Sequence, residues 1–304
     1  MWVKDNDGTN QYDRIHIKHR PPYCSNKVPQ TMDLVVFDLD GTLLNKHAEI
    51  SPFTRDTLAL MQDKNISYTV ATGRTLHSAH GIIDGHGFVQ PHIYSNGVTV
   101  WDPQTKQLSL NNPLCNSEIE MIVNAGHQHH ITPFLSVVDE QNQHFIYYLP
   151  IRNAVEERLL KNYQARKAAT VLEAAVMPSN ATITNISFLG RNEAVDAVKA
   201  QLSSNPQLVA YSGAALEGDG LLWMDIHHSD ANKGTAVEQL GKKAGASNII
   251  CFGDNDNDLS MIAIANESYA PDNAIDSVKN AVNHVIGHHH KDGVAHFLRE
   301  RFLL

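Results

Sequence analysis

Val35-Val36-Phe37-Asp38-Leu39-Asp40-Gly41-Thr42-Leu43-Leu44 is the stretch that decides how this chain is read. A short apolar run bounded by turn residues reads as a buried strand, of the kind found in a parallel sheet. Its end delivers two carboxylates two positions apart, and Gly41 lets the chain turn just after them. In an open α/β sheet, ligands bind in the crevice beyond the carboxyl ends of the strands. Two acids placed there invite a hard divalent cation, and Mg²⁺ typically pairs one or two carboxylates with a phosphate substrate.

The flanking sequence carries the pattern forward. Ser51-Pro52 is a helix start, a cap residue followed by proline in the first turn, and Phe53, Thr57, Leu58 and Met61 follow at helical spacing. Residues 66–71 form a second expected strand, ending in Thr72-Gly73-Arg74. Residues 92–95 form a third, closed by Asn96-Gly97, and 98–101 with Asp102-Pro103 read as a hairpin. From about 114 to 216 the texture changes: expected helices at 117–129, 153–165 and 193–203 alternate with strands near 134–138, 145–149 and 182–189. None of those strands ends in a cluster of catalytic residue types. This part reads as an inserted α+β domain able to close over the first site and choose substrates. The core is expected to resume with a strand at 221–226 and a helix opened by Asn232-Lys233-Gly234. A strand at 248–252 follows, running into Gly253-Asp254-Asn255-Asp256-Asn257-Asp258, then a helix at 259–265. Asp292 is positioned to cap a last helix through Phe297 and Leu298. The glycine-rich Gly213 to Gly220 matches neither a P-loop nor a dinucleotide fingerprint and reads as a hinge between insert and core.

With 304 residues, the chain has room for two domains or one large one, and 42% hydrophobic and 19% charged content fit an ordinary globular protein. A net charge of −9, with no Lys/Arg run interleaved with aromatics, argues against nucleic acid. Handling an anionic phosphate then requires local positive charge from a metal and a few placed cations. Cys24, Cys115 and Cys251 are far apart and odd in number, which suits free thiols in a reducing, cytoplasmic setting. No apolar run reaches membrane-spanning length. Residues 1–31 are polar and lack an apolar signal core, so a loosely attached tail is expected, with Met32 opening the folded unit.

The chemistry follows from the residue types. A phosphate monoester is already anionic, so catalysis is mainly positioning and charge neutralisation. One carboxylate of the Asp38/Asp40 pair can attack phosphorus, and the other can protonate the leaving oxygen and then activate water. Read alone, Asp-x-Asp-Gly at a strand end is equally a turn. The acidic cluster at Asp254 to Asp258 opens like a calcium loop, but Leu259 and Ala265 stand where such a loop needs Gly and Glu. A second acidic strand end is better explained as completing one metal site, against the alternative of a solvated helix cap. Thr72 and Gly73 offer a hydroxyl and an unhindered N–H to an oxyanion, and Lys233 at a helix start can neutralise phosphate and nucleophile. His288-His289-His290 and His127, His129 and His130 lack acid or Cys partners at ligand spacing and read as solvated.

In order, Asp38-Leu39-Asp40-Gly41-Thr42-Leu43-Leu44, Ala71-Thr72-Gly73-Arg74, Ser95-Asn96-Gly97, Asn232-Lys233-Gly234 and Gly253-Asp254-x-x-Asn257-Asp258 resemble the motifs of the haloacid dehalogenase-like (HAD) hydrolases. In detail the chain is similar to the Cof-type subfamily with a class IIB α+β cap, from about Met32 to Leu304, and to its bacterial sugar-phosphate and pyridoxal-phosphate phosphatases. The resemblance implies an α/β fold, with a Rossmann-like parallel-sheet core at 32–113 and 217–304 and a cap at 114–216. It also implies Mg²⁺-dependent phosphatase activity. Carried over, Asp38 is nucleophile and metal ligand, and Asp40 is general acid/base and binds metal through its carbonyl. Leu39 (by its N–H), Thr72, Gly73, Lys233 and Asn257 hold phosphate. Asp254 and Asn255 are metal ligands and Asp258 orients the site. The expected substrate is a small phosphorylated metabolite: a sugar phosphate, pyridoxal phosphate or an FMN-like ester. Two alternatives stand beside it, a phosphomutase using the same nucleophile and a non-catalytic phosphometabolite-binding module. Arg74 is left between a structural role and a substrate-facing one.

Overall fold

The computed structural model describes residues 32–166, 169–215, 218 and 220–304, so the expected tail at 1–31 lies outside the described residues. The chain opens with β1 (Asp33–Phe37), α1 (Pro52–Asp63), β2 (Ser67–Val70), α2 (Leu76–Ile83), β3 (His92–Tyr94), β4 (Thr99–Asp102) and β5 (Gln107–Leu110). Its middle holds α3 (Asn116–Gln128), β6 (Phe134–Val138), β7 (His144–Tyr148), α4 (Ala154–Arg166) and β8 (Thr170–Glu173). These lead to β9 (Ile183–Arg191), α5 (Asn192–Leu202), β10 (Leu208–Ala214) and β11 (Leu221–His228). The last part is α6 (Lys233–Ala244), β12 (Asn248–Phe252), α7 (Leu259–Ile264), β13 (Glu267–Pro271), α8 (Asp276–Ala281), β14 (His284–Ile286) and α9 (Gly293–Phe302).

The apolar run of β1 is continuous because both faces of its sheet are covered. Leu34, Val35, Val36 and Phe37 are all fully buried, Val35 and Phe37 in one cluster and Leu34 and Val36 in another across the sheet. At roughly 1.5–3 kcal/mol per buried large side chain, this strand anchors the domain. Its neighbours are β12 on one side and β2 on the other, both parallel, in the sheet order β14-β13-β12-β1-β2. Two segments far apart in sequence thereby end side by side at the same edge. Ser51 caps α1 as expected, accepting from the Thr54 N–H at 3.0 Å. The antiparallel sheet β3-β4-β5 joins the β2 side through an Ala71–Ile93 bridge.

The insert is a six-stranded sheet, β10-β11-β9-β6-β7-β8, antiparallel except for the β7–β8 pair. Its strands alternate as a half-covered sheet must. Leu135, Val137, Ile186, Phe188, Met224 and Ile226 pack with Ile122 and Ala125 of α3 and Val195, Val198 and Leu202 of α5. On the other face Phe134, Ile146 and Leu189 pack with Leu159 of α4.

Two boundaries differ from expectation. The strand expected to reopen the core at 221–226 pairs antiparallel with β9 and β10 and belongs to the insert, so the insert runs past 216 to His228. Periodicity marks a strand but says nothing of its partners, which here lie up to 40 residues upstream. For the same reason Gly213 to Gly220 cannot be the hinge: Ala214 pairs with Leu222, so the segment links two neighbouring strands of one sheet. Gly213 itself lies in β10, and residues 216, 217 and 219 lie outside the described residues. Asp292 does precede α9, but its carboxylate accepts from the Ser51 (2.6 Å) and Thr54 (3.2 Å) hydroxyls and so ties the start of α1 to that of α9. Helices α2 and α8 and strands β8, β10, β13 and β14 are short elements for which no strong period was visible.

Candidate active site

After Phe37 the β1 ladder continues one residue, with the Asp38 N–H donating to the Phe252 carbonyl at 2.9 Å. Leu39–Leu43 then coils into a wide turn, closed by Leu43 N–H to Asp38 C=O (3.3 Å) and Leu44 N–H to Leu39 C=O (2.9 Å). The turn needs glycine at position 41 for two reasons. Its φ is +78°, and a Cβ there would lie 2.3 Å from Asp254 Oδ2. The β1 turn and the loop after β12 are therefore in contact at the site itself, and Thr42 Oγ1 donates to Asp254 Oδ1 at 2.9 Å. Asn273 supports the same turn, donating to the Gly41 carbonyl at 2.8 Å.

Lys233, in the first turn of α6, is completely buried and donates to Asp38 Oδ1 and Asp258 Oδ1, both at 2.6 Å. Asp258 Oδ2 accepts from the Asp254 (2.8 Å) and Asn255 (3.0 Å) N–H groups. Both oxygens of Asp258 are thus occupied in holding the lysine and the loop. Asp38 Oδ2 and Asp254 Oδ2 make no hydrogen bond among the described residues, and the carboxylates of Asp38, Asp254 and Asp258 place oxygens within 4.8 Å of one another. Three acids against one lysine leave an excess of negative charge in a buried place. Burial raises Asp38 well above the ordinary carboxylate range, with Lys233 opposing and the other two aspartates adding to the rise. Burial and the Asp258 charge push Asp254 up to about 7. For Lys233, burial works against the charge, but Asp258 and Asp38 outweigh it and hold the ammonium above its usual value. A pair of free hard oxygen donors with repelling charges fits a divalent cation. Asn255 uses its Oδ1 to cap the Asp256 N–H at 2.8 Å.

At the end of β2, Thr72, Gly73 and Asn257 come together around a residue the motif reading gave no role. The Asn96 carboxamide oxygen accepts from Asn257 Nδ2 at 2.9 Å and would sit 3.2 Å from a Cβ on Gly73. Asn96 is held with φ +56°, its N–H donating to the Thr72 carbonyl at 3.0 Å, a conformation that asparagine tolerates. Thr42, Asn96 and Asn273 are all positioned by long-range approach. The first two lie inside motifs that flagged their neighbourhood, whereas nothing in the sequence singles out Asn273.

Asp40 stands apart from the acid cluster. Both its oxygens accept from Arg74, Nε to Oδ2 and Nη2 to Oδ1, each at 2.6 Å. This bidentate clamp ties Arg74 to Asp40 and holds the Asp40 carboxylate in one orientation, and the hydrogen bond raises the guanidinium's own pKa. Of the histidines expected to be solvated, His289 donates Nδ1–H to the Leu44 carbonyl (2.7 Å) and His129 contacts Gln201 (3.0 Å).

Comparison with known proteins places this geometry. A 5-amino-6-(5-phospho-D-ribitylamino)uracil phosphatase of Bacillus subtilis is 26% identical over 89% of this chain and 98% of its own length. The pyridoxal phosphate phosphatase YbhA of Escherichia coli is 27% identical over 88% and 98%. A haloacid dehalogenase-like hydrolase structure from Bacteroides thetaiotaomicron superposes with a TM-score of 0.71 at 21% identity, covering 90% of this chain and all of that one. The family model of the haloacid dehalogenase-like hydrolases matches residues 35–298, and this chain belongs to that family.

Proposed function

We propose that this hydrolase of phosphoric monoesters is a Mg²⁺-dependent phosphatase for small phosphorylated metabolites, working through an aspartyl-phosphate on Asp38. The observation that carries the reading is the arrangement of Asp38. One oxygen is fixed by the buried Lys233, and the other has no hydrogen-bond partner among the described residues, beside Asp254. The relatives are named for a ribityl phosphate ester and for pyridoxal phosphate, which supports a small metabolite as the substrate.

In this mechanism the free oxygen of Asp38 forms a bond to phosphorus as the ester P–O bond breaks. Lys233 lowers the repulsion between carboxylate and phosphate, and the Leu39 N–H, Thr72, Gly73 and Asn257 bind the phosphoryl oxygens. Asp40, two residues on, turns from Arg74 to give its proton to the leaving oxygen. It then takes a proton from the water that opens the acyl phosphate, regenerating Asp38 and releasing inorganic phosphate. Mg²⁺ held by Asp38, the Asp40 carbonyl and Asp254, with Asn255 beside them, would supply charge neutralisation of the phosphoryl group.

The test is phosphate release from sugar phosphates, pyridoxal phosphate, flavin mononucleotide and an aryl phosphate, with Mg²⁺ and with EDTA. Turnover should vanish on chelation, return with Mg²⁺, and fall at least about 10⁴-fold in Asp38→Asn, which keeps the shape and removes the nucleophile. Turnover that survives this substitution overturns the covalent mechanism. Net phosphate release from one substrate, with no bisphosphate activator, separates a phosphatase from a mutase.

A further inference from the structure

The sequence alone leaves His288, His289 and His290 as a solvated run, but the fold draws their rings together. They make up a tight turn ahead of α9, with His288 as its cap. The ring centroids lie 5.0 Å apart for His288 and His289, 4.9 Å for His288 and His290, and 4.0 Å for His289 and His290. Each ring offers a nitrogen within 4.8 Å of one on each of the others. A strand would point successive side chains to opposite faces, and it is the turn that gathers them. His288 and His289 are partly buried and His290 is exposed, so a dissolved ion can reach the group.

The hydrogen bonds assign the lone pairs. The Leu44 carbonyl only accepts, so His289 carries its proton on Nδ1 and, as a neutral ring, its lone pair on Nε2. A backbone carbonyl on the far nitrogen is how a metal-bound imidazole is held in orientation. His288 has its lone pair on Nδ1, where it accepts the His290 N–H at 3.1 Å, a weak bond that a cation would replace. Desolvation, then His289, His288, Lys46 and His47, lower the pKa of His290, so near neutral pH that ring is in its uncharged, ligating form. Lys46 opposes a cation, and the neighbouring Asp292 is tied to Ser51 and Thr54, so binding rests on the three nitrogens. Three imidazoles without a carboxylate suit Zn²⁺, Cu²⁺ or Ni²⁺, whereas the oxygens of Asp38 and Asp254 suit Mg²⁺.

The same residues are joined to the catalytic turn. Leu44, whose carbonyl holds His289, closes that turn through its N–H to Leu39. Asn273 accepts the His289 N–H at 3.2 Å and donates to the Gly41 carbonyl.

We propose that His288, His289 and His290 form a second metal site, for a borderline-soft divalent cation of the Zn²⁺ type, and that its occupancy steadies the turn at Leu39–Leu43 through His289. Water completes the coordination shell. Zn–N bonds of about 2.0–2.1 Å draw the three nitrogens closer than they stand, which partly exposed side chains reach by changing rotamer. The site is independent of the phosphatase reading, because its test reads binding.

The experiment is a calorimetric Zn²⁺ titration of the full chain in excess Mg²⁺, which occupies the oxygen site. The wild type should bind one Zn²⁺ per chain. His290→Gln removes one exposed ligand, leaves the hydrogen bonds of the other two rings in place, and should weaken binding at least about tenfold. Asp254→Asn should leave the affinity within about twofold, as for independent sites, which separates this site from Zn²⁺ lodged among the acids. Hydrogen exchange over residues 39–44 should slow when Zn²⁺ is added to the wild type and stay unchanged in His290→Gln. No Zn²⁺ binding by the wild type, equal affinity in His290→Gln, or loss of binding in Asp254→Asn overturns the site. Zn²⁺ bound with unaltered exchange at 39–44 overturns its coupling to the catalytic turn.

Discussion

The two large sheets of this molecule present polar groups in opposite ways. In the parallel sheet the central strand β1 is apolar after Asp33, and three candidate catalytic groups are delivered beyond strand ends: Asp38 after β1, Thr72 after β2, Asp254 after β12. In the insert the polar groups lie within strands, on alternate positions of one face, as with Asn185 and Ser187 of β9 and Asp225 and His227 of β11. Strand-end groups are held by turns whose backbone admits few residues, as the crowding at Gly41 shows. Mid-strand groups need only the pleat, which accepts almost any side chain. The first arrangement ties each group to a constrained backbone, and the second leaves side chains open to exchange without disturbing the backbone.

After the loss of Asp38 itself, the largest effect should come from Lys233, the cation shared by Asp38 and Asp258. Lys233→Met leaves carboxylates buried without their cation, a change expected to destabilise by about 3–5 kcal/mol. Activity should fall by about 10³-fold, because neutralisation of both nucleophile and phosphate is lost. Thermal unfolding with and without Mg²⁺ checks it: the cation should recover part of the lost stability, since it binds only the folded site. Hydrogen exchange should speed up in β1 and β12 and change little in β9 and β11. Equal loosening of both sheets would break the comparison.

Gly41→Ala comes next. A Cβ 2.3 Å from Asp254 Oδ2, on a residue with φ +78°, forces the turn away from the loop after β12. Misplacing reacting groups by about 1 Å costs on the order of 10²-fold, so kcat should fall by about that much and Mg²⁺ should bind more weakly. Titration of activity with Mg²⁺ reads both. A variant with wild-type Mg²⁺ dependence would show that the strand-end geometry tolerates a displaced turn.

What could be read before the structure divides along the same line. Strands β1, β2 and β12, the Ser51 cap, the acid pairs and Lys233 were legible because each is a local pattern: an apolar run, a cap, a turn residue beside a charge, whereas the short β13 and β14 showed none. The Lys233–Asp38 and Thr42–Asp254 contacts join residues about two hundred positions apart, and only the shared motif order hinted at them. The insert was legible as α+β texture, yet its end was misplaced because β11 looks like any half-buried strand until its partners are known. Asp225 and His227 were not singled out, since a polar residue alternating with apolar ones is what any half-covered strand shows.

Arg74→Ala tests how much the orientation of Asp40 matters. The clamp joins two exposed-side groups at 2.6 Å, with Asp40 about half exposed, so its loss should barely alter stability. Asp40 would then sample several rotamers, and kcat should drop about tenfold with KM little changed, the sign of a positioning residue. Arg74→Lys should recover only part, because an ammonium cannot grip both oxygens at once. A KM effect larger than the kcat effect would instead make Arg74 a substrate-binding group.

The smallest effect lies one strand in from the far edge of the parallel sheet. Glu267 of β13 accepts from Arg301 of α9, Nη2 to Oε1 at 2.7 Å and Nε to Oε2 at 3.1 Å. The Arg301 hydrogen bond pulls the Glu267 carboxyl down to about 2, below its ordinary value near 4.5. A depressed folded-state pKa means stability that is fully present above the unfolded value and is lost as pH falls through the folded one. The pair should therefore stabilise above about pH 4.5 and fade toward pH 2. Both side chains are partly exposed, so solvent limits the effect to about 1 kcal/mol. Urea unfolding of the wild type and Glu267→Gln at pH 7 and at successively lower pH checks it. The two curves should differ at pH 7 and converge on acidification, and hydrogen exchange should place the difference in β13 and α9. Among the described residues the side-chain hydrogen bonds of Glu267 and Arg301 run to each other, to Asn248 and to Tyr269, none to the insert strands. A change in the exchange of those strands would mean that the two sheets unfold as one unit, so that the insert is free to vary in sequence but not in stability.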